Sequence, residues 1–296
     1  MENITPPNPK LLELLVTPGT HQPLQYRKEQ GDLYSPQSGE SYKIEEGIPV
    51  LVHAAKEAQG MDYHTHYRQD AEVFDYFEDR TGATGHDERR VHEYILSQIP
   101  KGAQSILDVG CGRAWVAQYC LPKGMFVCSM DISARNPAKA LARYPSPNHT
   151  GLAADAFHLP FRDGAFDRII ASEIIEHVVD PAAFIRELLR VVKRGGSLII
   201  TTPYKEVLKY SVCIHCNQPT PLNAHLHSFD ENKLAGYAAD KENVRWKTFG
   251  NKALIYLRTY TLLRFLPFPL WKTVDAVANA LLNKRAHIIV EYKKSK

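Results

Sequence analysis

Asp108, Gly110 and Gly112 are residues whose types and spacing suit chemistry. An acid closes the apolar run Ser105-Ile106-Leu107, two glycines with one residue between them follow, and Trp115 to Cys120 then reads as a helix start. Glycines in such a turn adopt backbone angles closed to other residues, and without a Cβ they let a ligand reach the main chain. The helix start adds free N–H groups. A dinucleotide would rest its pyrophosphate there. The third glycine of that fingerprint would fall at Trp115, however, and an acid directly before the turn suits a diphosphate poorly.

Asp108 better suits a cationic ligand with an ammonium group. S-adenosylmethionine carries a sulfonium and an amino group and no phosphate. Further candidates follow at strand-like intervals. Phe126-Val127-Cys128-Ser129-Met130 is a second apolar run and ends in Asp131. That acid lies about 20 residues past the turn, where a ribose-binding carboxylate is expected. Asp155-Ala156-Phe157 follows Ala154, and Phe166 to Ser172 leads to Glu173, Glu176 and His177.

These residues need a scaffold that brings strand ends together. From 103 to 203 the pattern alternates strand and helix, the sign of a parallel α/β sheet. Helix Leu188 to Lys193, then Arg194-Gly195-Gly196, precedes a fifth strand, Ser197 to Pro203. In open sheets of this class, ligands meet the carboxyl ends of the strands at the switch point, where Ser172 and Glu173 would fall.

With these motifs in this order, residues 103–203 resemble the class I S-adenosylmethionine-dependent methyltransferases, in the small-molecule branch that includes quinone methylases. The resemblance implies a Rossmann-like, seven-stranded, mostly parallel sheet with helices on both faces, preceded here by a small N-terminal β-rich module. It implies S-adenosyl-L-methionine as cofactor, held by Asp108, Gly110, Cys111 and Gly112 at the turn, Asp131 and Ile132 at the ribose, Asp155, Ala156 and Phe157 at the adenine, and Ser172 with Glu173 beside the acceptor. His177 is the candidate catalytic base, with Glu176, His225 and His227 as other proton acceptors. The end of the fourth strand lacks an Asn-Pro-Pro-Tyr type motif, which argues against amino methylation of adenine or cytosine. A small-molecule or lipid-like acceptor is the first reading. An RNA methyltransferase and a non-catalytic cofactor-binding partner are the alternatives.

Residues 1–55 read as a separate module, 56–102 as a helical cap or linker, and 103–296 as the methyltransferase domain with a helical insertion at about 254–286. The module resembles a zinc-ribbon-like family whose members activate methyltransferases or precede them in one chain. The family's four cysteine positions hold Thr17, Thr20, Ser35 and Ser38. Hydroxyls are poor zinc ligands, so the resemblance implies a ribbon without metal. Aromatic residues at Tyr63, Tyr67, Phe74, Tyr76 and Phe77 precede the first strand, where family members often cap the cofactor site. Cys213, Cys216, His225 and His227 have the types for tetrahedral zinc. Their spacing is not that of a standard finger, and no metal is the expectation.

The chain has 296 residues, 44% hydrophobic and 23% charged, with net charge +3. That is ordinary globular composition and does not by itself predict nucleic acid. Of five cysteines, Cys111, Cys120 and Cys128 fall inside the expected core, which suits a reducing compartment. The first residues lack the basic start and apolar run of a signal peptide, so the expectation is cytoplasmic. Residues 244–296 carry eleven Lys and Arg against two acids. That basic, Leu- and Tyr-rich stretch is expected to form a helical lid over the acceptor pocket, broken at Pro267 and Pro269 and restarting near Trp271. It could meet an anionic membrane surface or an amphiphilic acceptor. Oligomeric state is not legible.

Overall fold

The structure, a computed structural model, describes residues 6–52, 63–214, 217–238 and 243–295. The chain opens with a short helix, α1 (Pro9–Leu12), and an antiparallel meander of β1 (Gln25–Arg27), β2 (Asp32–Tyr34), β3 (Ser41–Glu45) and β4 (Ile48–Leu51). Two helices, α2 (Tyr63–Val73) and α3 (Gly82–Leu96), lead to the alternating region. There β5 (Ser105–Val109), α4 (Trp115–Cys120), β6 (Phe126–Asp131), α5 (Arg135–Arg143) and β7 (His149–Ala154) run one way across the sheet. The chain then returns to the other side of β5 with β8 (Phe166–Ser172), α6 (Pro181–Val191) and β9 (Val192–Pro203). A hairpin, β10 (Tyr210–Val212) with β11 (Pro219–Pro221), and α7 (Glu231–Gly236) precede β12 (Val244–Asn251). Three helices, α8 (Lys252–Tyr256), α9 (Tyr260–Leu263) and α10 (Phe268–Leu282), separate β12 from β13 (Arg285–Lys293).

Seven strands in the order β7-β6-β5-β8-β9-β13-β12 form the expected Rossmann-like sheet. Within it β13 alone runs against its neighbours. β5 and β7 are buried throughout, and β6 is buried up to Asp131, as parallel strands covered on both faces require. β6 and β8 flank β5, so the crevice at the carboxyl ends of β5 and β8 is the switch point.

The N-terminal module is not free-standing. β4 pairs in parallel with β7, Val50 against Ala153 and Leu51 against Ala154, which extends the sheet to eleven strands. The physical reason is the edge of β7, whose N–H and C=O groups would otherwise lack partners. Gly151 allows the close approach, since a Cβ there would lie 2.5 Å from Ile48 Cδ1 and 3.0 Å from Pro137 Cβ. A second seam joins Val16 N–H to the Pro160 carbonyl and Arg162 N–H to the Leu14 carbonyl, each at 2.9 Å.

Inside the module the four hydroxyl residues bond in pairs. The Thr17 and Thr20 hydroxyls lie 2.6 Å apart, Gln22 N–H donates to Thr17 Oγ1 at 2.8 Å, and Ser38 N–H donates to Ser35 Oγ at 3.3 Å. Thr17 and Ser35 are fully buried. Thr17→Val keeps the shape but leaves the Gln22 N–H without its acceptor. It should cost about 1–3 kcal/mol, read as a lower midpoint in urea unfolding.

The insertion begins its long helix earlier than expected. Pro267 is the N-cap of α10 and Pro269 lies in its first turn, where a proline has no hydrogen bond to lose. Arg90 of α3, 1% exposed, ties the insertion down. Its guanidinium donates to Glu93 at 2.7 Å, to the Leu263 carbonyl at 2.7 Å and to the Leu266 carbonyl at 3.0 Å, and lies 4.9 Å from the Trp271 ring centroid.

Candidate functional site

The carboxyl ends of β5 to β8 open into a cavity of about 850 Å³. That is the scale of a small-molecule site. Gly110, Cys111 and Gly112 line it from the turn after β5, and Asp131 and Ile132 from the end of β6. Asp155, Ala156 and Phe157 line it after β7, and Ser172, Glu173 and His177 after β8. Asp108 does not reach the wall. It lies one residue before Val109 in β5, 2% exposed, and its Oδ2 has no hydrogen-bond partner. Burial first and then Asp131 push its carboxyl well up.

The glycine turn is shaped as the spacing predicts. Gly110 and Gly112 have φ of 66° and 45°, the left-handed region. A Cβ on Gly110 would come 2.4 Å from Ile174 Cδ1, so only glycine fits beneath that side chain. Asp131 accepts from the Asn136 side-chain amide at 3.1 Å and from Ser133 N–H at 3.3 Å. Burial raises its pKa against the pull of those donors. Asp155 accepts from Phe157 N–H at 2.9 Å and from the Tyr63 hydroxyl at 2.7 Å. Tyr63 therefore reaches the cavity from α2, and Tyr67, Phe74 and Tyr76 line it from above. Phe77 is not part of that lining; its ring meets Lys139 Nζ at 5.8 Å.

A titratable cluster closes the far end. His177 Nδ1 is 3.3 Å from the Ala224 carbonyl, so donation there leaves Nε2 as an acceptor. Burial, then His225, lowers the His177 pKa to about 4, which keeps the imidazole neutral. The His177 and His225 ring centroids are 4.8 Å apart, and His225 Nδ1 is 2.6 Å from Glu206 Oε2. Glu176 is buried and accepts from the Thr202 hydroxyl at 3.0 Å. Burial and then Glu173 push its carboxyl well up, toward the neutral acid.

Ligating atoms of Glu176, His177 and His225 lie within 4.8 Å of one another, the grouping among the described residues that could hold a cation. Cys213 and His227 fall outside that grouping, and Cys216 lies outside the described residues. Cys213 stands at the tip of the β10–β11 hairpin, whereas His225 faces the cavity and His227 does not.

Sequence reasoning missed two contributors, Glu206 and His287. Glu206 had no motif to mark it, and Tyr63, expected as a capping aromatic, carried no sign of its bond to Asp155. His287 of β13 lies 2.8 Å from Asp87 Oδ2 of α3 and 3.6 Å from Glu173 Oε2. Burial opposes its charge, but Glu173 and Asp87 outweigh burial and lift its pKa to about 10. Glu173 itself has φ 56°, strained for a non-glycine residue. The insertion supplies no wall residue, contrary to the lid expected from sequence. It packs instead on α3 and β12, because Arg90, Asp275 and Asn279 anchor it there.

Residues 107–200 match the methyltransferase domain family. Residues 8–47 match the Trm112p-like protein family. A probable S-adenosylmethionine-dependent methyltransferase of Mycolicibacterium smegmatis is 28% identical over 138 residues, 45% of this chain and 50% of its own. Tocopherol O-methyltransferase of Arabidopsis thaliana is 36% identical over 107 residues, 34% of this chain and 31% of its own. The chain thus spans about half or less of the length of these curated relatives. Among solved structures, Haemonchus contortus phosphoethanolamine N-methyltransferase 2 with S-adenosyl-L-methionine superposes with a TM-score of 0.53 at 14% identity, covering 81% of this chain and 62% of that one. The [4+2]-cyclase SpnF superposes at 0.51 with 18% identity, covering 84% and 99%. Both confirm the fold, and the cyclase shows that this fold alone does not set the reaction.

Proposed function

We propose that the chain is an S-adenosylmethionine-dependent methyltransferase acting on a small-molecule or lipid-like acceptor. The observation that carries the reading is one continuous cavity. It joins a glycine turn and three strand-end acids at one end to a buried, neutral imidazole at the other. The residues fit the cofactor. Gly112 keeps a space on the wall below Tyr76 that a Cβ would enter, 3.5 Å from Tyr76 Cδ1, and Asp131 and Asp155 present carboxylate acceptors to the same cavity.

When bound, the cofactor supplies an electrophilic methyl group on its sulfonium. The protein supplies position and a proton acceptor. Asp131, held by Asn136 and Ser133, would accept from the ribose hydroxyls. Asp155 and Phe157 would meet the adenine, where Tyr63 already donates. His177 Nε2 would take the proton from an acceptor hydroxyl or amine, with Nδ1 fixed on Ala224.

Asp131→Ala should weaken S-adenosylmethionine binding by about 1–3 kcal/mol, checked by calorimetry. Unchanged affinity would remove Asp131 from the site. The acceptor class is tested by methyl transfer from radiolabelled cofactor into a panel of phenols, quinols and lipid extract beside RNA. Label in organic-soluble products is the expected result, and label in RNA alone would overturn it. The second reading, an RNA methyltransferase, draws on the Trm112p-like match at 8–47 and the basic stretch after 244. It requires RNA retention that weakens steeply with salt. A non-catalytic partner would bind cofactor and label nothing.

A further inference from the structure

The last helix of the C-terminal insertion buries two polar residues beside Trp271 and exposes a row of apolar ones. In α10, Asp275 and Asn279 are buried and hold the end of β12. Asp275 Oδ2 accepts from Gly250 N–H at 3.1 Å, and Asn279 Oδ1 accepts from the Asn251 amide at 2.9 Å. On the other side Leu270, Val274, Val277 and Leu281 recur at helical spacing, 36–78% exposed. The one polar side chain among them, Thr273, turns its hydroxyl back onto the Pro269 carbonyl at 3.2 Å. Tyr256, Leu257, Leu262 and Phe265 of the preceding turns are also exposed. A surface helix of a globular protein normally does the reverse, and a contiguous exposed apolar patch marks an interaction site.

The charge around this face is one-sided. From 252 to 285 the basic residues are Lys252, Arg258, Arg264, Lys272, Lys284 and Arg285, and the only acid is the buried Asp275. An apolar helical face rimmed by Lys and Arg, with Leu and Phe at its centre, is the composition of a segment that lies in a membrane interface. Anionic headgroups attract such a rim. A second copy of the chain fits it poorly, because a two-fold interface would set one basic rim against another. Nucleic acid would satisfy the charge and leave the leucines in water. No helix among the described residues is long and apolar enough to cross a membrane.

We propose that α8 to α10 dock the protein on an anionic phospholipid bilayer, with Leu270, Val277 and Leu281 entering the headgroup boundary and Arg258, Arg264 and Lys284 on phosphates. The proposal stands apart from the reading of the cavity, since no residue of the insertion lines it. It also has a route to it. α3 presents Asp87, Glu88, Val91 and His92 to the cavity and Arg90 to the insertion, so one rigid helix joins the two.

The test is sedimentation of the full chain with phosphatidylcholine vesicles, with and without phosphatidylglycerol, at rising salt. Binding should need phosphatidylglycerol and fall with salt. Arg264→Gln and Lys284→Gln should each weaken it about fivefold. Leu270→Ser with Leu281→Ser should abolish it at a thermal midpoint like the parent's, since both side chains are exposed. Three results would overturn the proposal: no binding to anionic vesicles, undiminished binding by the double Leu variant, or a dimer in light scattering that the same Leu changes dissolve.

Discussion

His177→Gln should lower the methyl-transfer rate by about 10²–10⁴, the usual span for removing a positioned general base. Gln keeps a donor and an acceptor of similar size, so cofactor affinity should stay near that of the parent. The expected split is a fall in kcat with little change in cofactor binding. The pH profile gives a second readout. Burial holds His177 at about 4, so its base form persists through the neutral range and the rate limb it controls falls only as pH drops toward 4. A limb near the ordinary histidine value of 6.5 would show that the imidazole is solvated or that another group takes the proton. Chelation separates the remaining case. Loss of activity with EDTA would give the proton chemistry to a cation held by Glu176, His177 and His225, and retained activity leaves it with the imidazole.

The second large effect concerns stability. His287 is 11% exposed in its side chain and joins Asp87 of α3 to Glu173 at the end of β8. His287→Gln removes the cation and leaves two carboxylates facing each other across the cavity wall. Breaking a buried pair costs about 3–5 kcal/mol, but both acids are about a third exposed, so about 2–3 kcal/mol is expected here. The pH dependence has a definite sign. The folded pKa, about 10, lies above the unfolded value of about 6.5. The contribution is therefore fully present below pH 6.5 and is lost as pH rises through 10. The gap in unfolding free energy between parent and variant, measured by urea denaturation across that range, should close toward alkaline pH. A gap that widened would show that the histidine is neutral in the fold.

What was legible in the sequence was what is local in it. The turn at Gly110 to Gly112 and the strand ends at Asp131, Asp155 and Glu173 each follow from a short run with its own signal, and the sheet brings those runs to one edge. The parts that were not legible come from distant pieces of chain. Tyr63 meets Asp155, and His287 meets Asp87 and Glu173, only after the sheet has formed. The pairing of β4 with β7 is long-range, and its one local trace is Gly151, where a Cβ would strike Ile48 of β4. The insertion misled for a physical reason. Its apolar period was read as an inward face, but the end of β12 needs acceptors and donors at Gly250 and Asn251, and Asp275 and Asn279 turn the helix to supply them.

The position of the bound cofactor tests the cavity's role most directly. A crystal structure with S-adenosylhomocysteine should place the ribose hydroxyls within hydrogen-bond distance of the Asp131 carboxylate, the adenine beside Asp155 and Phe157, and the sulfur end toward His177. A ligand bound elsewhere on the chain, or none at saturating concentration, would contradict it.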